Sequence, residues 1–344
     1  MTLNNLGNLH SDMNDFLQAA KEYAEALEIR KRLATAYPAT YKPDLAVTLN
    51  NLGVLHRNMN NYPQAAKEYD DALKIYRELS DADPAAYGPD LAMTLNNLGN
   101  LHWNMHDYAQ AAKEHAEALE IRRKLADTDP TTYEPRSADT LNNLGILHHD
   151  MNDYPQAAKE YAEALEIYKK LAATDPAAYE PYVATTLNNL GNLHSDMNDY
   201  PQAAKEYDEA LKIYKKLADA DPAAYEPDVA MTLNNLGNLH SDMNDYPQAA
   251  KDYAEALEIY KRLAAADPAT YEPDVAMTLY NIAILLAVQG HFAEAERNAI
   301  ESHDIYERCA ERCHEAYDGY LKKAEILLAK IRKNIGKADD TSES

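Results

Sequence analysis

Cysteine, basic residues and long apolar runs are all scarce in this chain. Its only cysteines are Cys309 and Cys313, too few for a disulfide framework. The 33 Lys and Arg stand against 57 Asp and Glu, for a net charge of -24. Gripping phosphates takes clustered Lys and Arg, so nucleic acid and anionic membrane surfaces are excluded as partners and a basic partner is favoured. No apolar run approaches the length of a membrane span. No charged segment leading into an apolar core follows Met1, so a cytoplasmic protein is expected. The ten glycines mostly fall singly inside one recurring motif, which leaves no phosphate-cradling loop. There is no HExxH, no nucleophile elbow and no carboxylate pair in an evident pocket. An enzyme, a metal and a cofactor are therefore not expected.

What the chain does have is repetition. TLNNLG begins at Thr2, Thr48, Thr94, Thr140, Thr186 and Thr232, and a variant, TLYNIA, begins at Thr278. The step is always 46 residues, and residues 186–231 and 232–277 differ at only six positions, a sign of recent duplication. Each TLNNLG holds two adjacent asparagines, which cost roughly 0.5 kcal/mol apiece against Ala inside a helix. Something must offset that cost.

In the unit 182–227, Leu187, Leu190, Leu193, His194 and Met197 share one helical face. This helix A should begin near Tyr182, after Pro181, and end before Asn198. Gly191 inside it implies close approach by a second helix. Helix B should start at Asp199-Tyr200-Pro201-Gln202, with Asp199 as cap, Gln202 as capping-box partner and Pro201 in the first turn. Its stripe is Ala203, Tyr207, Ala210, Leu211, Tyr214 and Leu217, and it should stop near Ala220. The DPAAYEP that follows suits a short turn before the next helix A. One hairpin cannot bury its apolar faces alone, but stacked hairpins can, which makes an all-α solenoid.

Leu190, Gly191, Ala203, Tyr207 and Ala210 keep the spacing of the tetratricopeptide-repeat signature. DVAMTLNNLG at 228–237 is similar to the kinesin-light-chain variant, although the unit here is longer. The resemblance implies a right-handed superhelix of antiparallel helix pairs. Seven hairpins are expected over 1–316, starting near 2, 48, 94, 140, 186, 232 and 278. A capping helix over 317–336 follows from Ala324, Leu327, Leu328, Ile331 and Ile335 on one face, with Lys and Arg opposite. Residues 337–344 read as a disordered tail.

His10, His56, His102, His148, His194 and His240 recur on the apolar stripe, and packing is expected of them rather than metal binding. Cys309, Cys313 and His314 form CxxxCH, not the CxxCH of haem attachment, and apolar packing is again the expectation.

The resemblance also implies a concave groove lined by helix A that takes a peptide. Its candidates are the second asparagines, Asn51, Asn97, Asn143, Asn189 and Asn235, where the family holds the ligand's main chain. The first asparagines, Asn50, Asn96, Asn142, Asn188 and Asn234, are candidates too, against a role in bonding between stacked helices. An amide donates and accepts, so it suits any peptide backbone. Variation among the copies adds a strip for selectivity. Asn100, Asn192 and Asn238 lie one turn on, with Val54 and Ile146 interrupting. Arg57, Trp103 and His149 lie a further turn on, where other copies have Ser. Asp150, Asp196 and Asp242 oppose the dipole in the last turn of helix A, as Asp12 does, and favour a ligand carrying Lys or Arg. The expected function is a non-enzymatic scaffold that binds a peptide segment of a partner protein. The alternatives are self-assembly through the terminal repeats, or a regulatory sensor for a separate effector enzyme.

Overall fold

The computed structural model describes residues 3–342, and its chain falls into two compact units, Met1–Thr174 and Asp175–Ser344. Every element among the described residues is an α-helix. The first unit holds α1 (Leu3–Asp12), α2 (Phe16–Ala36), α3 (Pro38–Asn58), α4 (Tyr62–Ala82), α5 (Pro84–Asn104), α6 (Tyr108–Ala126), α7 (Pro130–Asp150) and α8 (Tyr154–Ala172). The second holds α9 (Pro176–Asp196), α10 (Tyr200–Ala220), α11 (Pro222–Asp242), α12 (Tyr246–Ala266), α13 (Pro268–Val288), α14 (Phe292–Arg312) and α15 (His314–Ser342). In both, odd-numbered helices up to α13 are the A helices and even-numbered ones the B helices.

Pairing within a hairpin is antiparallel. Asn8 meets Tyr23, His10 meets Glu22 and Asn4 meets Arg30, so early residues of α1 face late residues of α2. Between successive A helices the register is parallel, as in Asn97 to Asn50 and Asn234 to Thr278. The hairpin turn is the same throughout. Asn198 takes φ 60°, a left-handed conformation that Asn tolerates, and Tyr200 Oη donates to its side chain at 2.9 Å. Asp199 then caps α10 by accepting from the Gln202 amide. The Gln202 side chain does not return to the cap as a capping box would, but donates to Glu206 at 2.8 Å, one turn on.

Helix A is longer than its sequence suggests. It starts at Pro176, not near Tyr182, because Asp175 caps it and Pro176 occupies its first position. The residues DPAAYEP are its opening turns. Pro181 lies inside and leaves the Ala177 carbonyl without its helical donor, but Ala177 is exposed and water can serve it. The added turn pairs with the end of helix B: Lys216 meets Glu180, and Lys170 meets Glu134.

The hairpins close on glycine. A Cβ on Gly237 would sit 2.5 Å from the Tyr253 ring, so only glycine lets the buried tyrosine cross that tightly. Ala203, Ala210, Ala249 and Ala256 are fully buried along the B helices. Each A helix from α1 to α11 also brings a histidine onto a carboxylate of its own helix B, such as His194 Nδ1 to Glu206 at 2.7 Å. The histidines are thus packing residues, but with an acidic partner that their own helix does not supply.

At the far end, Ile331 of α15, flanked by Leu327, Leu328 and Ile335, packs on Ala283, Ala295 and Ala299. The terminal helix begins at His314 and runs to Ser342, so it takes in residues 337–342 of the expected tail; residues 343 and 344 lie outside the described residues. Cys309 is buried, whereas Cys313 caps α14 and is exposed, so the pair shares no face. No described helix is long and apolar enough to cross a membrane.

Candidate functional site

The two asparagines of TLNNLG have different fates. The first points into the seam with the next repeat. Asn188 is 2% exposed and donates to Thr232 Oγ1 at 2.8 Å, and Asn234 does the same to Thr278. Asn50 and Asn142 are likewise buried, and Asn96 accepts from Asn143 and meets His115. These five positions therefore serve the stack. The hydrogen bonds across the seam offset their helix cost.

The second asparagine is half-buried on each A helix from α3 to α13. In the first unit it turns to a neighbour: Asn51 donates to Asn8, Asn97 to Asn50 and Asn143 to Asn96. In the second unit Asn189 and Asn235 have no hydrogen bond to any described residue and keep the amide available.

One turn on, Asn192 and Asn238 accept from the hydroxyls of Tyr207 and Tyr253 at 2.6 Å, so half of each amide belongs to the hairpin. Asn100 does not. His115 stands where those tyrosines would, and a cavity of about 80 Å³ opens beside it, lined by Asn100, Trp103, Asn143 and Ile146. The missing length of a phenol accounts for the space. His115 is 2% exposed, and burial, aided by the Arg122 charge, pulls its pKa down to about 4.

Trp103 is 40% exposed, and its indole donates to Asp150 at 2.7 Å. The candidate Asp150 is therefore engaged by the candidate Trp103. His149 packs edge-on against Tyr154 of its own hairpin. Arg57 lies near enough to the Tyr69 phenol to oppose the rise that burial gives its pKa. Asp242 is raised by burial and by the charge of Asp196.

A cavity of about 300 Å³ lies between α11 and α13. Its walls include Asn234, Asn235, Asn238 and Asn281, with Asp228 and Asp274 as its acids. Burial raises the pKa of both acids, and no hydrogen bond or ion pair to a described residue relieves either. Sequence reading missed these two aspartates, because with helix A expected to start one to two turns later they look like ordinary first-turn acids. Among the described residues, the one group spaced to hold a metal ion is His303, Asp304 and Glu307, mostly exposed on α14.

A family model for the tetratricopeptide repeat matches residues 1–78, 90–170, 182–262 and 228–308. The chain belongs to the tetratricopeptide-repeat family. No curated protein sequence matches it. Among solved structures, the kinesin-light-chain-like BtubC (BKLC) from P. vanneervenii is 24% identical, over 72% of this chain and 91% of its own, with a TM-score of 0.57. The apo form of RapI is 16% identical over 97% of this chain and 98% of its own, at 0.58. A STAND signal-transduction ATPase with a tetratricopeptide-repeat sensor, from Pyrococcus horikoshii, is 15% identical at 0.65. The match covers 93% of this chain and 43% of that one. Identities this low establish the shared repeat fold. For a tetratricopeptide-repeat protein, the role that follows is a scaffold for protein–protein interaction.

Proposed function

We propose that this tetratricopeptide-repeat chain is a non-enzymatic scaffold that holds an extended peptide segment of a partner protein against its A helices. The observation that carries this reading is the state of Asn189 and Asn235. Both sit half-buried on the A-helix face with no partner among the described residues, and Asn235 opens onto the α11–α13 cavity. An amide fixed on a rigid helix can donate to a peptide carbonyl and accept from a peptide N–H without reading its side chains. Selectivity then falls to neighbours that vary between repeats: Arg57, Trp103 and His149 in the first unit, and the acids in the second. Arginine and tryptophan are frequent anchors at interfaces. The excess of acid favours a basic segment.

The test is capture from native lysate on immobilised full-length protein, wild type against Asn189→Ala/Asn235→Ala, with folding of both checked by circular dichroism. A discrete partner retained by the wild type and lost by the variant supports the reading. Identical capture by the two, or none by either, ends it.

A further inference from the structure

We infer that the α11–α13 cavity is a subsite for one arginine side chain of the bound peptide, an inference that rests on the peptide-binding reading above. The protein contains its own template for such a site. In the first repeat Arg30 donates to Asn4 Oδ1 at 3.3 Å, to Thr48 Oγ1 at 2.5 Å and to the Asp44 carbonyl at 2.7 Å. Its guanidinium also lies 3.9 Å from the Asp44 carboxylate. The same positions of the sixth repeat are Asn234, Thr278 and Asp274, and the place of Arg30 is taken by Tyr260. Tyrosine brings no cation, and of the three acceptors that Arg30 satisfies the asparagine oxygen is left over. Asn234 is 4% exposed, and its amide orientation is fixed because Nδ2 donates to Thr278 Oγ1, whose own hydroxyl is donated to the Asp274 carbonyl. Asn234 Oδ1 is consequently buried with no hydrogen-bond partner in the protein.

Asn234 lines the cavity, and its other lining residues suit a cation with an apolar stem. Asp274 comes from α13 and Asp228 from α11, and no described Lys or Arg pairs with either. Burial raises both carboxyl pKa values, and both charges add to the rise in the Tyr260 phenol at the cavity wall. Met231 and Met277, each more than a third exposed, form the apolar part of the lining. A guanidinium offers five N–H donors in a flat fork, which suits two carboxylates and an amide oxygen, while its methylenes lie along the thioethers. Partly desolvated carboxylates attract such a cation more strongly than exposed ones. Asn235, on the same wall, is placed to take the peptide main chain beside it.

The test uses a random-peptide display library against full-length protein, followed by affinity measurements on the enriched peptides. The expected result is a shared arginine. Replacing it with citrulline, which has nearly the same shape but no charge, should weaken binding by at least roughly tenfold. Asp228→Asn/Asp274→Asn should do the same. That variant removes charges that have no partner, so its thermal midpoint should hold or rise. Tyr260→Arg gives an independent check. It recreates the first repeat, should place a guanidinium on Asn234 and Asp274 from within, and should exclude arginine peptides to a similar extent. Enriched peptides that lack an arginine preference, or that bind all these variants as well as wild type, overturn the inference and leave the groove reading standing. A library that enriches nothing overturns both.

Discussion

The repeats of the second unit and those in the middle of the first share one hairpin and differ on one face. In α9 and α11 the residue after the glycine is Asn192 or Asn238, and each accepts from the tyrosine packed beneath it. In α3 that residue is Val54, so the Tyr69 hydroxyl is buried with no partner. In α5 the asparagine is kept as Asn100, but the tyrosine has become His115. The glycine contact survives every change: a Cβ on Gly53, Gly99 or Gly191 would lie within 3 Å of the ring beneath it. Hairpin closure therefore rests on ring packing, and the hydroxyl bond is an addition that a repeat can lose. The A-helix face is thus free to diverge while the hairpins hold.

The largest effect expected from this comparison comes from undoing the divergence at His115. Its folded pKa is about 4, below the ordinary 6.5, so between those values the unfolded chain binds the extra proton. The associated stability is fully present above pH 6.5 and is lost as pH falls toward 4, by up to about 3 kcal/mol. His115→Tyr should abolish that acid-side loss, fill the cavity beside Trp103 and place its hydroxyl on Asn100. Urea denaturation across pH 4 to 7 reads it as a flattened pH profile.

Next in size is the glycine contact itself. Gly237→Ala gains about 1 kcal/mol of helix propensity but drives a methyl into the Tyr253 ring. Overpacking costs about 1–3 kcal/mol, so a net loss is expected in the denaturant midpoint. The same change at the exposed Gly319, which has nothing nearby, should stabilise.

A smaller pair tests whether the hydroxyl is truly an addition. Tyr253→Phe breaks a 2.6 Å bond and should cost about 1 kcal/mol. Tyr69→Phe removes an oxygen that has no partner and should be neutral or stabilising. Equal costs for the two would erase the distinction between the units. The smallest effect is expected at the surface: Lys216→Ala breaks the pair with Glu180, and exposed pairs are worth about 0–1 kcal/mol.

Much of this was legible in the residues. The 46-residue step, the Asp199 cap, the end of helix B at Ala220 and the need for Gly191 are local or periodic signals, and the structure has them. Pro181 misled, because a proline near a helix start breaks only one exposed hydrogen bond. The histidine–carboxylate pairs were hidden because the partners sit twelve residues apart on facing helices. Asp228 and Asp274 were passed over because nothing in the chain shows that their carboxylates lack a cation.

The sequence by itself determined that this chain is a stack of helical hairpins with a terminal helix to cover the last one. Helix propensity, caps and apolar spacing act over a few residues, and the duplication repeats them. The division of labour within each Asn-Asn pair was decided only by tertiary structure. Adjacent residues on a helix point about 100° apart. The packing of the next repeat sends one amide into the seam, where in α9 and α11 it bonds to threonine, and leaves the other on the open face. The same packing left Asn234 and two carboxylates around a cavity with no cation among the described residues.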